Sequence, residues 1–189
     1  MFVPRSEGQS RVLRAARALV RRRGHAQCSL REIAAAAGYS PAGLYAHFAG
    51  RDAILAAVAD ELRDELTDLL EQAGRGVKDP VKRLVAFGLG YVAFAATHPA
   101  EFELLYRWTP PKRRHVQDLR ESPIDVVRAT MREVTTSDRA AELASFGLWA
   151  TAHGLAGLRA SFPGSDEDYE ARCAAVLRAQ IERAERDPA

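Results

Sequence analysis

The sequence is poor in cysteine and has no long run of apolar residues. Its 189 residues include only Cys28 and Cys173, which lie far apart and belong to no C-x-x-C or Cys/His cluster. That pattern predicts neither a disulfide framework nor a zinc site and favours a reducing, cytoplasmic compartment. Two stretches without charge, Leu84–His98 and Leu143–Leu158, span 15 and 16 residues. Because a helix needs about 20 apolar residues to cross a bilayer, we expect no membrane span. The charged N-terminus has no apolar segment typical of a signal peptide.

The motifs of common enzymes are also missing. The sequence contains no G-x-S-x-G elbow, no H-E-x-x-H pair, no glycine-rich phosphate loop and no cysteine with a nearby histidine. A group of carboxylates recurs along one predicted helix and is typical of a solvated face: Asp60, Glu61, Asp64, Glu65 and Asp68. We therefore expect no catalytic activity, no cofactor and no bound metal.

The formal net charge of +2 is unevenly distributed. Residues 1–56 hold nine arginines against three acidic residues, a balance of +6, whereas residues 57–189 hold 18 basic and 22 acidic residues, a balance of −4. A basic segment attached to a mildly acidic remainder favours nucleic-acid contact by one part of the chain. A solvated, arginine-rich helix face would give the same count, so charge alone leaves both interpretations open.

Nearly every segment repeats its apolar residues with a helical period, and none alternates as a half-buried strand would. The pattern predicts an all-α protein of about nine helices. Within it, Ser29 and Glu32 have the spacing of a capping box, and Gly38 stands where a sharp turn needs a positive φ. Ser40 and Pro41 suit the N-cap and first position of the next helix, predicted to reach about residue 48. Helix, glycine turn and helix predict a helix-turn-helix, which presents its second helix to the DNA major groove. An αα-corner that binds no DNA would use the same caps.

Residues 10–56 resemble the DNA-binding domain of the tetracycline-repressor (TetR/AcrR) family of bacterial transcription regulators. The matching stretches are SLREIA at 29–34, GYS at 38–40 and GLYAHF at 43–48. Downstream, His98–Phe102 and the stretch Leu148–Ala156, with its Trp…His-Gly motif, resemble one C-terminal subgroup of that family. The resemblance implies a helix-turn-helix DNA-binding domain at 1–50 and a helical ligand-binding and dimerisation domain at 51–189. It also implies a repressor that binds a palindromic operator as a dimer and is released by a small effector. The alternative is an all-helical interaction module without DNA binding.

The resemblance further implies roles for particular residues. Arg31, at the start of the second helix, would reach bases or phosphates, and Arg51 would clasp a phosphate. The rest of the implied DNA-binding set lies in and after the recognition helix: Ser40, Pro41, Ala42, Gly43, Tyr45 and His47. The proline, alanine and glycine offer no side-chain hydrogen bonds, so specificity should rely on thymine methyl contacts, backbone approach and DNA shape. Packing is the alternative role for the tyrosine, and simple solvation for the histidine.

A stripe of small residues marks the helix predicted over 137–161. Three glycines on one face cost about 1 kcal/mol each in a helix interior, and close approach of a second subunit would explain them. The predicted dimer interface consists of Gly147, Ala150, Gly154 and Gly157, with Cys173 as a packed thiol on the last helix. A central helix of a monomer is the alternative.

Aromatic residues cluster in the middle of the chain, where such a stripe is usually core. The family resemblance adds a ligand cavity between these helices, whose occupation would move the DNA-binding heads. The predicted ligand-binding residues are Phe87, Tyr91, Phe94, Tyr106, Trp108, Trp149 and His153. For the histidine, a hydrogen-bonded place in the core is the alternative. A mostly apolar pocket would favour an apolar or aromatic effector.

Overall fold

The computed structural model describes residues 5–106, 122–161 and 166–186. Within these ranges the chain forms nine α-helices, one short 3-10 turn and no strand, so the all-α prediction is confirmed. The helices are α1 (Glu7–Arg23), α2 (Leu30–Ala37), α3 (Pro41–Leu44), α4 (Arg51–Gly74), α5 (Pro80–Thr97), α6 (Pro99–Tyr106), α7 (Pro123–Met131), α8 (Asp138–Ser161) and α9 (Asp166–Arg186). The 3-10 turn covers His25–Gln27. None of the helices within these ranges is long and apolar enough to span a membrane.

The recognition helix is shorter than its sequence predicts. The pattern predicts a helix from Pro41 to about residue 48, but α3 ends at Leu44. After it, the N–H groups of Tyr45, Ala46 and His47 donate to carbonyls three residues back, at 3.2, 3.3 and 2.9 Å. The chain therefore tightens into turns of the 3-10 type instead of continuing the α-helical ladder.

The chain divides into two compact units. Unit 1 combines the described residues up to Arg63 with α6, and unit 2 combines Asp64–Thr97 with α7, α8 and α9. The division falls inside α4, and it assigns α6 to the unit that contains the first three helices. The domain boundary that the sequence predicts near residue 50 separates DNA-binding from ligand-binding residues. The division into compact units does not test that functional boundary, which stays a prediction.

The core of unit 1 lies between α1 and α2. The inner face of α1 is fully buried at Val12, Leu13 and Ala16, and α2 contributes Ile33 and Ala34, which are also fully buried. These are the faces that the helical period places inward, and α1 packs against both α2 and α6. Each fully buried large aliphatic side chain contributes about 1.5–3 kcal/mol, so this interface contributes to the stability of the unit.

A buried ion pair fastens α6 to α1 inside unit 1. Glu101 is the only charged residue that is buried among the described residues, at 1% exposure. Its carboxylate accepts hydrogen bonds from Nε of Arg17 at 2.6 Å and from Nε of Arg21 at 3.1 Å. Burial of an unpaired carboxylate would be costly, so pairing with the arginines of α1 stabilises Glu101 in its buried position.

Unit 2 is built around α5, which packs against α7, α8 and α9. Glycine permits the closest approaches along this helix. A Cβ atom added to Gly88 would lie 2.6 Å from Cδ1 of Leu177, and one added to Gly90 would lie 2.9 Å from Cδ2 of Leu69. The absence of side chains at these two positions thus lets α9 and the end of α4 pack against α5.

Candidate nucleic-acid interface and ligand cavity

The helix-turn-helix is held by caps at the start of both helices. Ser29 Oγ accepts a hydrogen bond from the N–H of Glu32 at 3.2 Å, and the N–H of Ser29 donates to the Glu32 carboxylate at 3.0 Å. The predicted capping box is therefore confirmed. These hydrogen bonds, the backbone one first, lower the pKa of Glu32 below its ordinary value of 4.5. At α3, Ser40 Oγ accepts from the N–H of Gly43 at 3.0 Å.

The turn between the two helices depends on one glycine. Gly38 has φ 75° and ψ 30°, the left-handed conformation that side chains disfavour. The next N–H, that of Tyr39, donates back to the carbonyl of Ala34 at 2.9 Å. Ala34 is fully buried and Leu44 is 1% exposed, so the small and the large residue together seat α3 on α2. The turn and its packing match the sequence prediction.

Most of the predicted DNA-contacting residues are exposed. Arg31, Pro41 and Ala42 are exposed, as is Ser40, whereas Gly43 is half-buried. Tyr45 is 61% exposed, a large aromatic ring left in water directly after the recognition helix. Packing inside this chain therefore does not account for the tyrosine. That these residues contact DNA remains a prediction.

His47 packs within unit 1. Its ring and that of Tyr39 lie edge to face with centroids 5.0 Å apart. A Cβ atom on Gly8 would lie only 2.4 Å from Cε1 of His47, so the start of α1 fits closely over the imidazole. Gln9 Nε2 also donates to the carbonyl of His47 at 3.4 Å. The structure thus adds a packing role to the predicted DNA contact, which itself stays a prediction.

Arg51 binds backbone carbonyls. Its Nε donates to the carbonyl of Cys28 at 2.5 Å, and its Nη2 donates to that of His25 at 2.6 Å. Its Nη1 donates to Asp52 at 3.0 Å. The guanidinium therefore ties the start of α4 to the 3-10 turn before α2, a role that no local sequence signal indicates. The predicted phosphate contact is a further role, and it remains a prediction.

Three of the predicted ligand-binding residues meet in unit 2. The hydroxyl of Tyr91 and Nδ1 of His153 are 2.9 Å apart and share a hydrogen bond. The ring of Trp149 lies 5.8 Å from that of His153, centroid to centroid. Phe87 and Phe94 of α5 are each 3% exposed and belong to the core of unit 2.

The other two predicted ligand-binding residues are Tyr106 and Trp108. Tyr106 belongs to unit 1, where its ring lies 4.8 Å from that of Phe102. Trp108 lies outside the described residues. A ligand contact by any of the seven residues stays a prediction.

A pocket of about 440 Å³ lies in unit 2, between α5, the end of α8 and α9. Its walls include Val92 and Ala96 of α5, Arg159 of α8, and Tyr169 and Cys173 of α9. Cys173 is 1% exposed, as expected of a packed thiol, and burial raises its pKa above 9.0. Sequence reasoning missed this pocket, because its residues share no motif and come together only when α9 packs on α5.

The predicted dimer residues of α8 differ in their surroundings. Gly147 faces α9, since a Cβ there would lie 2.6 Å from Nε2 of Gln180. Gly154 and Gly157 have open space around them, and Ala150 is exposed. The same helix exposes three large apolar residues: Leu143, Phe146 and Leu158, at 56, 62 and 51%.

Across the described residues, no cluster of three or more acidic, histidine or cysteine side chains could hold a metal ion.

Comparison with known families and structures identifies the chain. The family described as "Bacterial regulatory proteins, tetR family" matches residues 12–58, and that described as "Tetracyclin repressor-like, C-terminal domain" matches residues 84–183. No curated protein matches the sequence. A Rhodococcus sp. RHA1 protein of unknown function is 26% identical, with a TM-score of 0.76, over 96% of this chain and 95% of the other.

Two further solved structures share the fold at lower identity. A TetR-like transcriptional regulator from Rhodococcus sp. RHA1 is 21% identical, with a TM-score of 0.63, over 96% of this chain and 97% of its own. RolR in complex with resorcinol is 18% identical, with a TM-score of 0.63, over 97% of this chain and 95% of its own. Together the two family matches cover the helix-turn-helix and more than half of the chain behind it. The chain therefore belongs to the tetracycline-repressor family of bacterial transcription regulators.

Proposed function

We propose that this DNA-binding regulator is a cytoplasmic repressor, which binds a palindromic operator as a homodimer and leaves it when a small apolar or aromatic molecule binds. The observation that carries the proposal is the exposed end of α3, capped by Ser40 and seated by the buried Leu44. A recognition helix that is packed firmly on α2 and has an exposed N-terminal end can enter the major groove of DNA. Regulators of this family are generally not enzymes.

Operator reading is divided between one arginine and an apolar surface. Arg31, in the first turn of α2, is exposed and can make a bidentate contact to guanine, worth about 1–3 kcal/mol. Tyr45 offers an exposed ring that suits thymine methyl groups and sugars. The residues Pro41, Ala42 and Gly43 of α3 present no hydrogen-bonding side chain, so the shape of the DNA carries part of the specificity.

The first experiment selects bound duplexes from a random pool and then compares variants on the selected site. Arg31→Ala should weaken operator binding about 5- to 150-fold and random-DNA binding much less. Tyr45→Ala should weaken operator binding while the free energy of unfolding changes by less than about 0.5 kcal/mol, as for other exposed sites. Equal weakening of operator and random DNA by Arg31→Ala would refute base reading. A pool without enrichment would refute operator binding altogether.

The dimer is proposed to form through the exposed face of α8. Leu143, Phe146 and Leu158 lie on that helix together with Ala150 and Gly154, which leave room for a second backbone to approach. Exposed large apolar residues on one helix are typical of a protein–protein contact. Two helix-turn-helix units, one from each subunit, would then read two half-sites of a palindrome.

A matched pair of substitutions tests the dimer. Ala150→Glu places a charge on the exposed face of α8, and Ala129→Glu places the same charge on an exposed position of α7. Light scattering should find a monomer for Ala150→Glu and a dimer for Ala129→Glu, with operator binding lost only in the monomer. A dimer that survives Ala150→Glu would refute the α8 interface.

The effector is proposed to bind in unit 2. The hydrogen-bonded Tyr91 and His153 could orient a polar edge of a ligand, and Trp149 adds an aromatic wall. RolR, which has the same fold, was solved with resorcinol, a small aromatic diol. A screen of small aromatic compounds should find one that raises the melting temperature and lowers operator affinity, because a ligand that favours one state shifts the equilibrium toward it. A broad screen in which no compound changes both would refute release by an aromatic effector.

A further inference from the structure

The chain just before α2 is held by the side chain of Arg51. Its guanidinium bridges two main-chain carbonyls of the segment that joins α1 to α2: Nε donates to Cys28 at 2.5 Å and Nη2 donates to His25 at 2.6 Å. Hydrogen bonds from a charged donor are about twice as strong as neutral ones. All three residues belong to unit 1. Arg51 therefore links the first residue of α4 to the 3-10 turn before α2 and to the residue that follows this turn.

The stability of α4 does not account for a cation at this position. Arg51 is the first residue of α4, where the helix dipole disfavours positive charge. Asp52 offsets part of that charge, since its carboxylate accepts a hydrogen bond from Nη1 of Arg51 at 3.0 Å. The arginine side chain is 30% exposed, so water reaches only part of it. The partners that favour the arginine here are therefore the two carbonyls before α2.

The segment that Arg51 binds is also tied within itself. Cys28 is 1% exposed, and its thiol donates to the carbonyl of Gly24 at 3.2 Å. The N–H of Cys28 donates at 3.2 Å to the carbonyl of His25, which also accepts from Arg51. The next residue, Ser29, is the N-cap of α2. A displacement of this segment would therefore displace the first turn of α2.

The first turn of α2 carries Arg31, the exposed residue that is proposed to read bases. On the exposed side of this turn, Glu32 pairs with Arg23 at 2.9 Å, but their side chains are 40% and 56% exposed and such a pair contributes little. A side chain that reads bases needs a support that holds it within about 0.5 Å of its productive position. The bridge from Arg51 supplies such a support.

We propose that Arg51 is a positioning residue for operator recognition, which sets the place of Arg31 by holding the carbonyls of His25 and Cys28. The inference rests on the proposed operator reading and names the contact that makes it selective. It is separate from the predicted phosphate contact of Arg51, because a phosphate contact strengthens binding to any duplex alike. Positioning acts on the difference between the operator and other DNA, since a displaced Arg31 loses its base contacts while phosphate contacts elsewhere persist.

Substitution by lysine separates the two roles. Arg51→Lys retains the positive charge, but an ammonium group has no planar fork that can bridge two carbonyls. We expect it to lower the ratio of operator affinity to random-DNA affinity about ten-fold, which corresponds to about 1.4 kcal/mol. Arg51→Gln, which removes the charge as well, should lower the ratio to a similar extent. Arg178→Lys, the same substitution at an exposed position of α9, is the control and should bind both DNAs as the parent does.

A double-variant cycle shows whether Arg51 acts through Arg31. In the Arg31→Ala protein the base-reading side chain is absent, so adding Arg51→Lys should lower the affinity ratio by less than about two-fold. A ten-fold loss that persists in this background overturns the proposal. Equal weakening of operator and random DNA by Arg51→Lys alone also overturns it, because Arg51 would then act only on phosphates.

Hydrogen exchange of the free, full-length protein tests the positioning without DNA. In Arg51→Lys the N–H groups of Cys28 and Glu32 should exchange about ten-fold faster, while those of α9 keep their rates. A random pool without enrichment would refute operator reading but would not alter this measurement. Unchanged rates at the start of α2, or an acceleration that is equal throughout the chain, overturn the positioning role itself.

Discussion

The ion pair between Glu101 and α1 allows a quantitative prediction. The side chain of Glu101 is 2% exposed, that of Arg17 is 20% exposed and that of Arg21 is 55% exposed. Removing one partner of a buried pair costs about 3–5 kcal/mol, mainly because the other charge stays buried. An exposed pair contributes only about 0–1 kcal/mol. The two arginines share one carboxylate, but their different exposures predict different costs.

We expect Arg17→Gln to destabilise the protein by about 3 kcal/mol, the low end of the buried range, since Arg21 still pairs with the carboxylate. Arg21→Gln should cost about 1 kcal/mol or less because water already reaches its guanidinium. For a chain of this length these values correspond to melting temperatures lower by about 6–12 °C and by at most about 4 °C. Glu103→Gln, an exposed neighbour on α6, is the control and should have little effect.

Urea unfolding followed by circular dichroism supplies the free energies, and hydrogen exchange of α1 and α6 shows where protection is lost. The double variant Arg17→Gln/Glu101→Gln should be less destabilised than the sum of its single variants, because no unpaired carboxylate remains. Equal costs for Arg17→Gln and Arg21→Gln, or strict additivity in the double variant, would refute the idea that burial of Glu101 sets the cost.

Three further predictions concern caps, packing and thiols. Ser29→Ala should lower the free energy of unfolding by about 1 kcal/mol, measured in urea. The contribution of the Glu32 carboxylate to stability should be complete above pH 4.5, near its pKa in the unfolded chain, and be lost as the pH falls through its lower folded pKa. Glu32→Gln should therefore make the loss of stability at acid pH less steep. Gly88→Ala should cost about 1–3 kcal/mol in thermal unfolding, because its methyl group would lie 2.6 Å from a leucine of α9; an unchanged melting temperature would contradict that close packing. Burial raises the pKa of Cys28 and of Cys173 above 9.0. Iodoacetamide should therefore label both thiols slowly in the native protein and quickly in urea. Rapid labelling of the native protein would contradict the burial of the thiols.

Features that depend on neighbours in the sequence were predictable. The Ser29–Glu32 capping box joins residues three positions apart, and the left-handed Gly38 is required by the turn that follows it. The inward face of α1 follows from the helical period. In each case one short stretch of chain contains both partners of the interaction, so the sequence alone determined the all-helical fold, the helix-turn-helix and the family, although it predicted too long an α3.

Contacts between distant residues were decided only by the tertiary structure. Glu101 meets Arg17 across 84 positions, and the guanidinium of Arg51 reaches a carbonyl 26 positions earlier. Neither pairing produces a periodic or local pattern in the sequence. The sequence therefore predicted a phosphate contact for Arg51 but did not indicate that its guanidinium donates to backbone carbonyls. The unit 2 pocket arises in the same way, where α9 packs against α5. Periodicity determines which face of a helix is buried, but only the packing of the helices decides which distant charge, ring or backbone group each side chain meets.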